Sequence, residues 1–397
     1  MSILKGLLIL LLIFFPFGEL IRFSLGNNII LKPLDIISAL TLIISSFLYL
    51  KNKEWRRSLK WYFFFFPLIG LFSLVINSYW LKPTEFLVSF LYLLRWVSYM
   101  SIFFAVIQTG KEFRNKIISL LFIDGGLVVL IGFSQYFFYP NLKNLFYLGW
   151  DDHLYRLFSS FLDPNFAGAF FVLYLIFVAG FLFIKGSKNT RNIMIKSIIL
   201  IVTLIATFLT YSRSALIMLI ATGVTFFSLL QKKKFILYLF LIIGVFILVI
   251  SPFFYVENID IFRLHSSFAR LVDIQKGITI FKDHPLIGVG FDSYRYAQIK
   301  YHYEFNIASN PIVHSAAGTD NSFIFILATT GIVGLLAYLY MWYQLGKKAW
   351  KIKNRFSIIF LTSLIGLFID SFFNNSLFYA EIMIWLWIIT SFIFEKE

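Results

Sequence analysis

The sequence predicts an all-α, polytopic membrane protein, and three observations carry that prediction. Of the 397 residues, 59% are hydrophobic and 14% are charged, where a soluble domain has about half and a quarter. Aromatic residues reach 20%, with 51 Phe, and the mean hydropathy is +0.82. Apolar runs of the length that crosses a bilayer, roughly 20 residues each, recur from one end of the chain to the other. These features exclude a soluble globular enzyme, a disordered chain and a nucleic-acid-binding domain. With no cysteine, disulfides, thiol nucleophiles and Cys-ligated metals are excluded as well.

Polar, Pro or Gly breaks divide the chain into twelve expected spans, near 6–25, 33–50, 61–79, 86–107, 117–138, 165–184, 193–210, 214–230, 235–254, 321–343, 356–373 and 377–394. The first carries Lys5 and no small-residue cleavage site, so it reads as a retained helix rather than a signal peptide. No repeat or low-complexity linker interrupts the series, and one integral membrane domain over 1–397 is expected.

The basic residues orient these spans. Of the 35 Lys and Arg, 22 fall in short segments on one side, among them Lys51, Arg56, Lys60, Lys111, Lys232 and Lys351. By the positive-inside rule that side is cytoplasmic, and both termini lie there. The charge of +15 is therefore mostly topology. The remaining basic residues are outside or within spans and include seven Arg (22, 95, 156, 213, 263, 270 and 295), whereas only five of the 22 inside are Arg. Lys suffices for orientation, but the rigid fork of Arg suits bidentate contact with phosphate. Sixteen of the 20 acidic residues also lie outside or within spans, so the chemistry is expected on the external face.

One loop, 255–320, dominates that face. It is longer than a bundle connection requires and too apolar to be disordered. Leu271, Ile274, Ile278 and Phe281 recur at helical spacing until His284–Pro285, which predicts an amphipathic helix on the membrane surface. A turn at Gly288–Val289–Gly290 follows.

Four segments carry candidate chemistry. In Arg156 to Asn165, Asp163 reads as an N-cap with Pro164 at the first helical position, which leaves Arg156 and the Asp151–Asp152–His153 group unexplained. In Thr210-Tyr-Ser-Arg-Ser214, Ser212 reads as a cap and Arg213 as either a snorkelling side chain or a ligand, since a fixed Arg at bilayer depth is costly unless paired. Arg270 lies on the amphipathic helix, where a solvated face is the structural alternative. In Gly318-Thr-Asp-Asn-Ser322, Asp320 reads as an N-cap or as a general base, with His314 a second candidate base. Gly331 and Gly334 allow close helix packing. Arg95 and Asp124 are embedded charges expected to pair with each other. Asp370 and Glu381, flanking the Asn374–Asn375 turn, are read as edging the same external cavity. There is no Walker A loop, no His-rich metal spacing and no nucleotide-binding Gly-rich turn.

Taken in order, these segments resemble the family of O-antigen ligases and Wzy-type O-antigen or capsule polymerases. The resemblance rests on Asp163-Pro-Asn165, on Tyr211-Ser-Arg-Ser-Ala215, on His284-Pro-Leu-Ile-Gly-Val-Gly290 and on Asp320-Asn321 with Gly331 and Gly334. It covers about 156–340 in motif and the whole chain in topology. It implies a GT-C-like bundle of about 12 helices in the bacterial cytoplasmic (inner) membrane, acting on polyprenyl-diphosphate-linked oligosaccharides without cofactor or metal and with inversion. Arg213 and Arg270, with Asp320 or His314 as base, are then the implied catalytic residues, and Arg156, Asp163, Asn165, Ser212 and Asn321 the implied substrate contacts. Aromatic residues such as Tyr294, Tyr296 and Tyr301 are candidates for stacking on sugar rings. A flippase and a chain-length regulator are the implied protein partners. The ligases have His where this chain has Asp320, which favours a polymerase of repeat units over a ligase to lipid A core or another acceptor. A lipid-oligosaccharide transporter is the alternative of a different class. It should place its charges at the midplane and show inverted repeats.

Overall fold

A computed structural model describes residues 1–26, 29–52, 60–184, 189–232, 264–303 and 318–394, with positions 234, 235, 237, 238, 241 and 244. Its helices are α1 (Ser2–Phe14), α2 (Pro33–Lys51), α3 (Tyr62–Ile76), α4 (Pro83–Gln108), α5 (Lys111–Phe138), α6 (Pro164–Phe183), α7 (Thr190–Leu209), α8 (Arg213–Leu229), α9 (Leu264–Asp283), α10 (Tyr294–Lys300), α11 (Ser322–Ile352), α12 (Arg355–Asp370) and α13 (Ala380–Phe392). A helix occupies every expected span except 235–254, which lies largely outside the described residues. Among the described residues eight helical stretches are long and apolar enough to cross a membrane, with α1 continued to Leu20 and α3 to Tyr79 by 3-10 turns, while α8 and α13 are apolar but shorter. The chain is an all-α, multi-pass membrane protein. Among the described residues β-structure is limited to a hairpin that pairs Phe23–Ser24 with Ile30–Leu31.

Local chemistry sets the helix starts. Pro33, Pro83 and Pro164 each stand at a first helical position, where the missing N–H costs nothing. The side chains of Asp35 and Glu85 accept from the backbone N–H of Lys32 and Lys82. Helix α6 is apolar on every face and is buried from Ala167 to Gly180; α13 is buried throughout. A helix without a polar face belongs in the centre of a bundle. The other helices surround this pair, and α2, α3 and α7 keep apolar faces exposed.

The longest helix is broken. At Gly331 the backbone turns to φ 68°, ψ −172°, a conformation open essentially to glycine alone. The helical bonds from Ile332 N to Ala328 O and from Val333 N to Thr329 O are lost there. The strap 285–290 replaces both. Val289 N and Gly290 N donate to the carbonyls of Ala328 and Thr329, each at 3.0 Å, while Ile332 N and Val333 N donate to Pro285 O and Leu286 O at 2.9 and 3.3 Å. From α3, Ser73 Oγ donates to Thr329 O at 3.0 Å and Asn77 Nδ2 to Gly288 O at 3.1 Å. Irregular backbone inside a membrane protein survives only when such partners bury it. The Gly-Val-Gly turn and Gly331 are thus two halves of one device.

Over the strap, α9 and α10 close a small core of Ile280, Val289, Tyr294, Ala297, Phe325 and Ala328. Tyr294 is buried there and Tyr296 in the main core of the bundle. They serve packing and are withdrawn from any sugar-facing surface.

The embedded charges pair otherwise than expected. Arg95 Nη2 donates to Asp35 Oδ2 at 2.9 Å and also to Ile30 O. Tyr99 donates to the other Asp35 oxygen. Asp124 stays buried, and its Oδ2 has no hydrogen-bond partner among the described residues. The α2 start packs beside α4, which brings Asp35 to Arg95 first. Lys32 lies between Glu19 and Glu381, 3.2 Å from Glu381 Oε1.

Candidate active site

At the end of the bundle where α5 leads to α6, α7 to α8 and α12 to α13, polar side chains from five segments meet. The 139–163 connection is held in a folded path by Gln135 of α5. Gln135 Oε1 accepts from Phe158 N and Ser159 N at 2.8 and 3.1 Å, and its Nε2 donates to Tyr139 O and Arg156 O at 3.0 and 3.2 Å. His153, Tyr155, Ser159 and Leu162 all take positive φ, a strained path that an over-determined loop can hold. It delivers Arg156 buried, with Nε donating to Thr210 O at 2.9 Å and Nη2 to Asn165 Oδ1 at 3.4 Å. Asp163 caps α6 by accepting from Asn165 N at 2.7 Å.

The Ser-Arg turn meets this segment directly. Ser212 Oγ donates to Asn165 Oδ1 at 3.0 Å and caps α8. With its proton so used, Ser212 Oγ stands as an acceptor 3.0 Å from Ser214 Oγ. Arg213 stands between these two anchored serines, half-buried in the first turn of α8. Gly168 permits the approach, because a Cβ there would meet Ala215 Cβ at 2.7 Å and Thr210 Oγ1 at 3.0 Å.

Asn374, on the α12–α13 turn, completes the connection. Its Nδ2 donates to Ser214 Oγ at 2.7 Å and to Asp370 Oδ1 at 3.0 Å, and its Oδ1 accepts from Arg270 Nη2 at 3.5 Å. Arg270 Nε also lies 3.5 Å from Asp320 Oδ2. A polar chain therefore runs Arg156, Asn165, Ser212, Ser214, Asn374, Arg270, Asp320. It joins residues of all four candidate segments. His314 lies outside the described residues.

The N-cap of α11 is Asn321 and not Asp320. Asn321 Oδ1 accepts from Phe323 N and Ile324 N at 2.9 and 3.0 Å, and its Nδ2 donates to Phe372 O at 3.1 Å. Its amide is engaged on both sides. Asp320 is left with a carboxylate that caps nothing, keeps 55% of its side-chain surface open and faces Arg270. Although its side chain is more than half open to water, the surrounding protein withdraws enough solvent to raise the pKa of Asp320. Arg270 opposes that rise and Asp163 adds to it. Asp151 is raised by the same withdrawal and by Asp163, Asp320 and Asp152, with Arg156 opposing. The charges of the 151–163 segment and the α11 start thus act on one another. Asp273 of α9 accepts from Asp320 N at 2.9 Å, and loss of water pushes its carboxyl up to about 6.

Asp370 is fully buried and joins this site through Asn374 and Ser376. Glu381 turns away to Lys32. It belongs to the other charge cluster, because α13 carries it toward the α2 start. Among the described residues no group of three or more His, Cys, Asp or Glu side chains is arranged to hold a metal ion. Sequence reasoning missed Asn374 as a connector. No local spacing marks it, since α12 ends at Asp370, Asn374 stands in the turn beyond, and its partners Arg270 and Ser214 are distant in sequence.

Residues 198–339 match the family model described as O-antigen ligase. No curated protein matches the chain. The matched stretch contains Ser212, Arg213, Arg270, Asp320, Asn321 and the Gly331 break, whereas Arg156, Asn165, Asp370 and Asn374 come from outside it. The chain is therefore a multi-pass membrane protein of which residues 198–339 are similar to the O-antigen ligase family.

Proposed function

We propose that this protein is a membrane glycosyltransferase that polymerises polyprenyl-diphosphate-linked oligosaccharide repeat units on the outer face of the bacterial cytoplasmic membrane. The observation that carries the proposal is the hydrogen-bonded chain that ties Arg156 and the Arg213 turn to Arg270, which in turn stands 3.5 Å from the uncapped carboxylate of Asp320, at one end of the bundle. The donor's leaving group is a lipid diphosphate, and charge accumulates on its departing oxygen. Fixed guanidinium groups near that oxygen stabilise the transition state more than the ground state. A guanidinium has five N–H donors; Arg270 spends two on Asn374 and Asp320, which leaves others for phosphate.

In this mechanism a sugar hydroxyl of the acceptor attacks the anomeric carbon of the donor. Its proton passes to Asp320, the glycosidic C–O bond forms, and the bond to the diphosphate breaks. The electron pair leaves with the diphosphate toward Arg213 and Arg270. Direct displacement inverts the anomeric centre. His314 is the alternative base. Asp163, Asn165, Ser212 and Asn321 are the proposed contacts to the substrate; Asn165 and Ser212 also hold Arg156 and the Ser-Arg turn, and Asn321 holds the start of α11 beside Asp320. The basic connections at the opposite end face the cytoplasm with both termini, and the 255–320 segment lies outside within one membrane domain. Flippase and chain-length regulator are the proposed partners.

A second reading, transfer of a finished glycan to lipid A core or another acceptor, is favoured by the similarity of residues 198–339 to the O-antigen ligase family. Purified protein given lipid-linked repeat unit in detergent separates them. A product ladder supports polymerisation, and a single transfer to an added acceptor supports ligation. No bond formation with the correct substrate overturns both. Arg213→Ala and Arg270→Ala should each lower turnover by at least about 100-fold; undiminished turnover in either removes that residue from the site. Arg213→Lys keeps the charge and loses the fork, so unimpaired turnover would mean that charge alone is needed.

A further inference from the structure

The Asp370–Asn374 pair lies outside the matched family region and touches both the loop arginine and the Ser-Arg turn. An amide side chain can usually rotate by 180° and exchange its oxygen for its nitrogen at little cost. Asn374 is buried between partners that forbid the exchange. On one side stands Asp370 Oδ1, 3.0 Å away, which as a carboxylate only accepts; on the other stands Arg270 Nη2, 3.5 Å away, which only donates. Turned over, the amide would set oxygen against oxygen and N–H against N–H. Both Nδ2 protons are spoken for, one on Asp370 and one on Ser214 Oγ. Ser212 gives its proton to Asn165 Oδ1, and Ser214, which accepts from Asn374, has Ser212 Oγ and Asp370 as acceptors for its own. Asp370 is itself fixed by Ser376 Oγ on its second oxygen. The backbone of the turn is tied to α11, with Ser322 Oγ donating to Asn374 O at 3.2 Å.

We infer that Asp370 and Asn374 form a positioning pair: the buried carboxylate sets the orientation of the amide, and the amide sets the orientation of the Arg270 guanidinium and of the turn that carries Arg213. Neither residue touches substrate. The inference deepens the proposed function and rests on its reading of Arg270 as the ligand of the diphosphate. The oxygen of Asn374 holds one edge of the guanidinium and Asp320 another, which presents the remaining N–H groups in a single direction. Without it, Arg270 keeps its charge but samples several rotamers. Ground-state attraction for a diphosphate then survives, and the aligned contact made in the transition state is lost.

Asn374→Ala should therefore lower kcat by about 10-fold or more and change KM by less than about threefold. Asn374→Asp, nearly equal in volume, should lower it at least as much, since a carboxylate there repels Asp370 and neutralises Arg270. Asp370→Asn should have a smaller effect, because a second amide no longer dictates which way the first one turns. The decisive measurement is a double-mutant cycle on kcat with Arg270→Ala in purified, correctly folded protein. If Asn374 acts through Arg270, adding Asn374→Ala to Arg270→Ala costs less than about threefold more. A purely structural turn residue would instead lower the melting temperature and leave kcat per folded molecule unchanged, and a residue acting independently of Arg270 would add its full kcat effect to that of Arg270→Ala; either pattern overturns the inference. Should wild-type protein form no glycosidic bond with the correct donor and also fail to bind farnesyl diphosphate, the proposed function falls and the inference with it. Wild-type turnover combined with additive mutants removes the inference alone.

Discussion

Replacing Gly331 by Ala tests the helix break and its strap. At φ 68°, ψ −172°, a residue with a Cβ is strained by about 1–3 kcal/mol. The added carbon would also overlap the Leu286 carbonyl of the strap. If the break is kept, the strap must shift and weaken four hydrogen bonds of 2.9 to 3.3 Å, each contributing about 0.5–1.5 kcal/mol net. If the helix reseals, it recovers its own bonds but expels residues 285–290 from Ser73 and Asn77, whose buried polar groups then lack partners. Either route costs about 3 kcal/mol or more. Thermal unfolding in detergent should show a clear fall in melting temperature, and turnover should fall with it, because the strap links α9, which carries Arg270, to α11, which follows Asp320. Gly126→Ala is the control: its φ is ordinary, its nearest contact would be Tyr174 Oη at 3.7 Å, and a helical Ala gains up to about 1 kcal/mol over Gly. If Gly331→Ala matched that control in both melting temperature and turnover, the account of the break would be refuted.

Three further outcomes are expected. With Asp320 as the base, turnover requires its carboxylate form and falls as pH drops through a pKa that loss of water and Asp163 have raised. Asp163→Asn should move that acid limb to lower pH and Arg270→Gln to higher pH, and a pH–kcat profile unmoved by both would rule Asp320 out. Asn321→Ala removes the cap of α11 at a cost of about 0.5–2 kcal/mol; Asn321→Asp should recover most of the melting temperature, and if it does not, the tie to Phe372 O matters more than the cap. Lys32→Met leaves the buried Glu381 without its counter-charge and Glu19 with Arg22 as its remaining ion-pair partner, a loss of about 3–5 kcal/mol; adding Glu381→Gln should restore part of the stability, and no loss in the single variant would mean that water already solvates Glu381.

The helices were legible because hydropathy is local and strong. Their ends were legible where Pro33, Pro83 and Pro164 marked them. The break at Gly331 was not, since apolar residues continue on both sides of it and nothing local announces that residues 285–290 will supply the missing bonds. Gly331 and Gly334 were accordingly read as a packing pair. Asp320 was read as a possible cap because its type suits one, although Asn321 suits one equally well and the loop geometry selects it. The sequence offers Asp124 as the partner of Arg95 because both are charges embedded in spans, while the lateral neighbour that decides the matter, Asp35, sits at a helix start. The four candidate segments could be named from residue type and order. Asn374, the residue that connects them, could not, because its partners lie 104 and 160 positions away.

The boundary of the matched region at residue 198 falls inside α7, between parts of a single hydrogen-bonded assembly. Ser212 needs Asn165 from one side of that boundary, and Ser214 needs Asn374 from beyond residue 339. The recognisable segment is thus a fragment of a machine and cannot be transplanted as a module. A chimera that exchanges residues 198–339 between two such proteins will work only if the 156–165 and 370–376 segments travel with it.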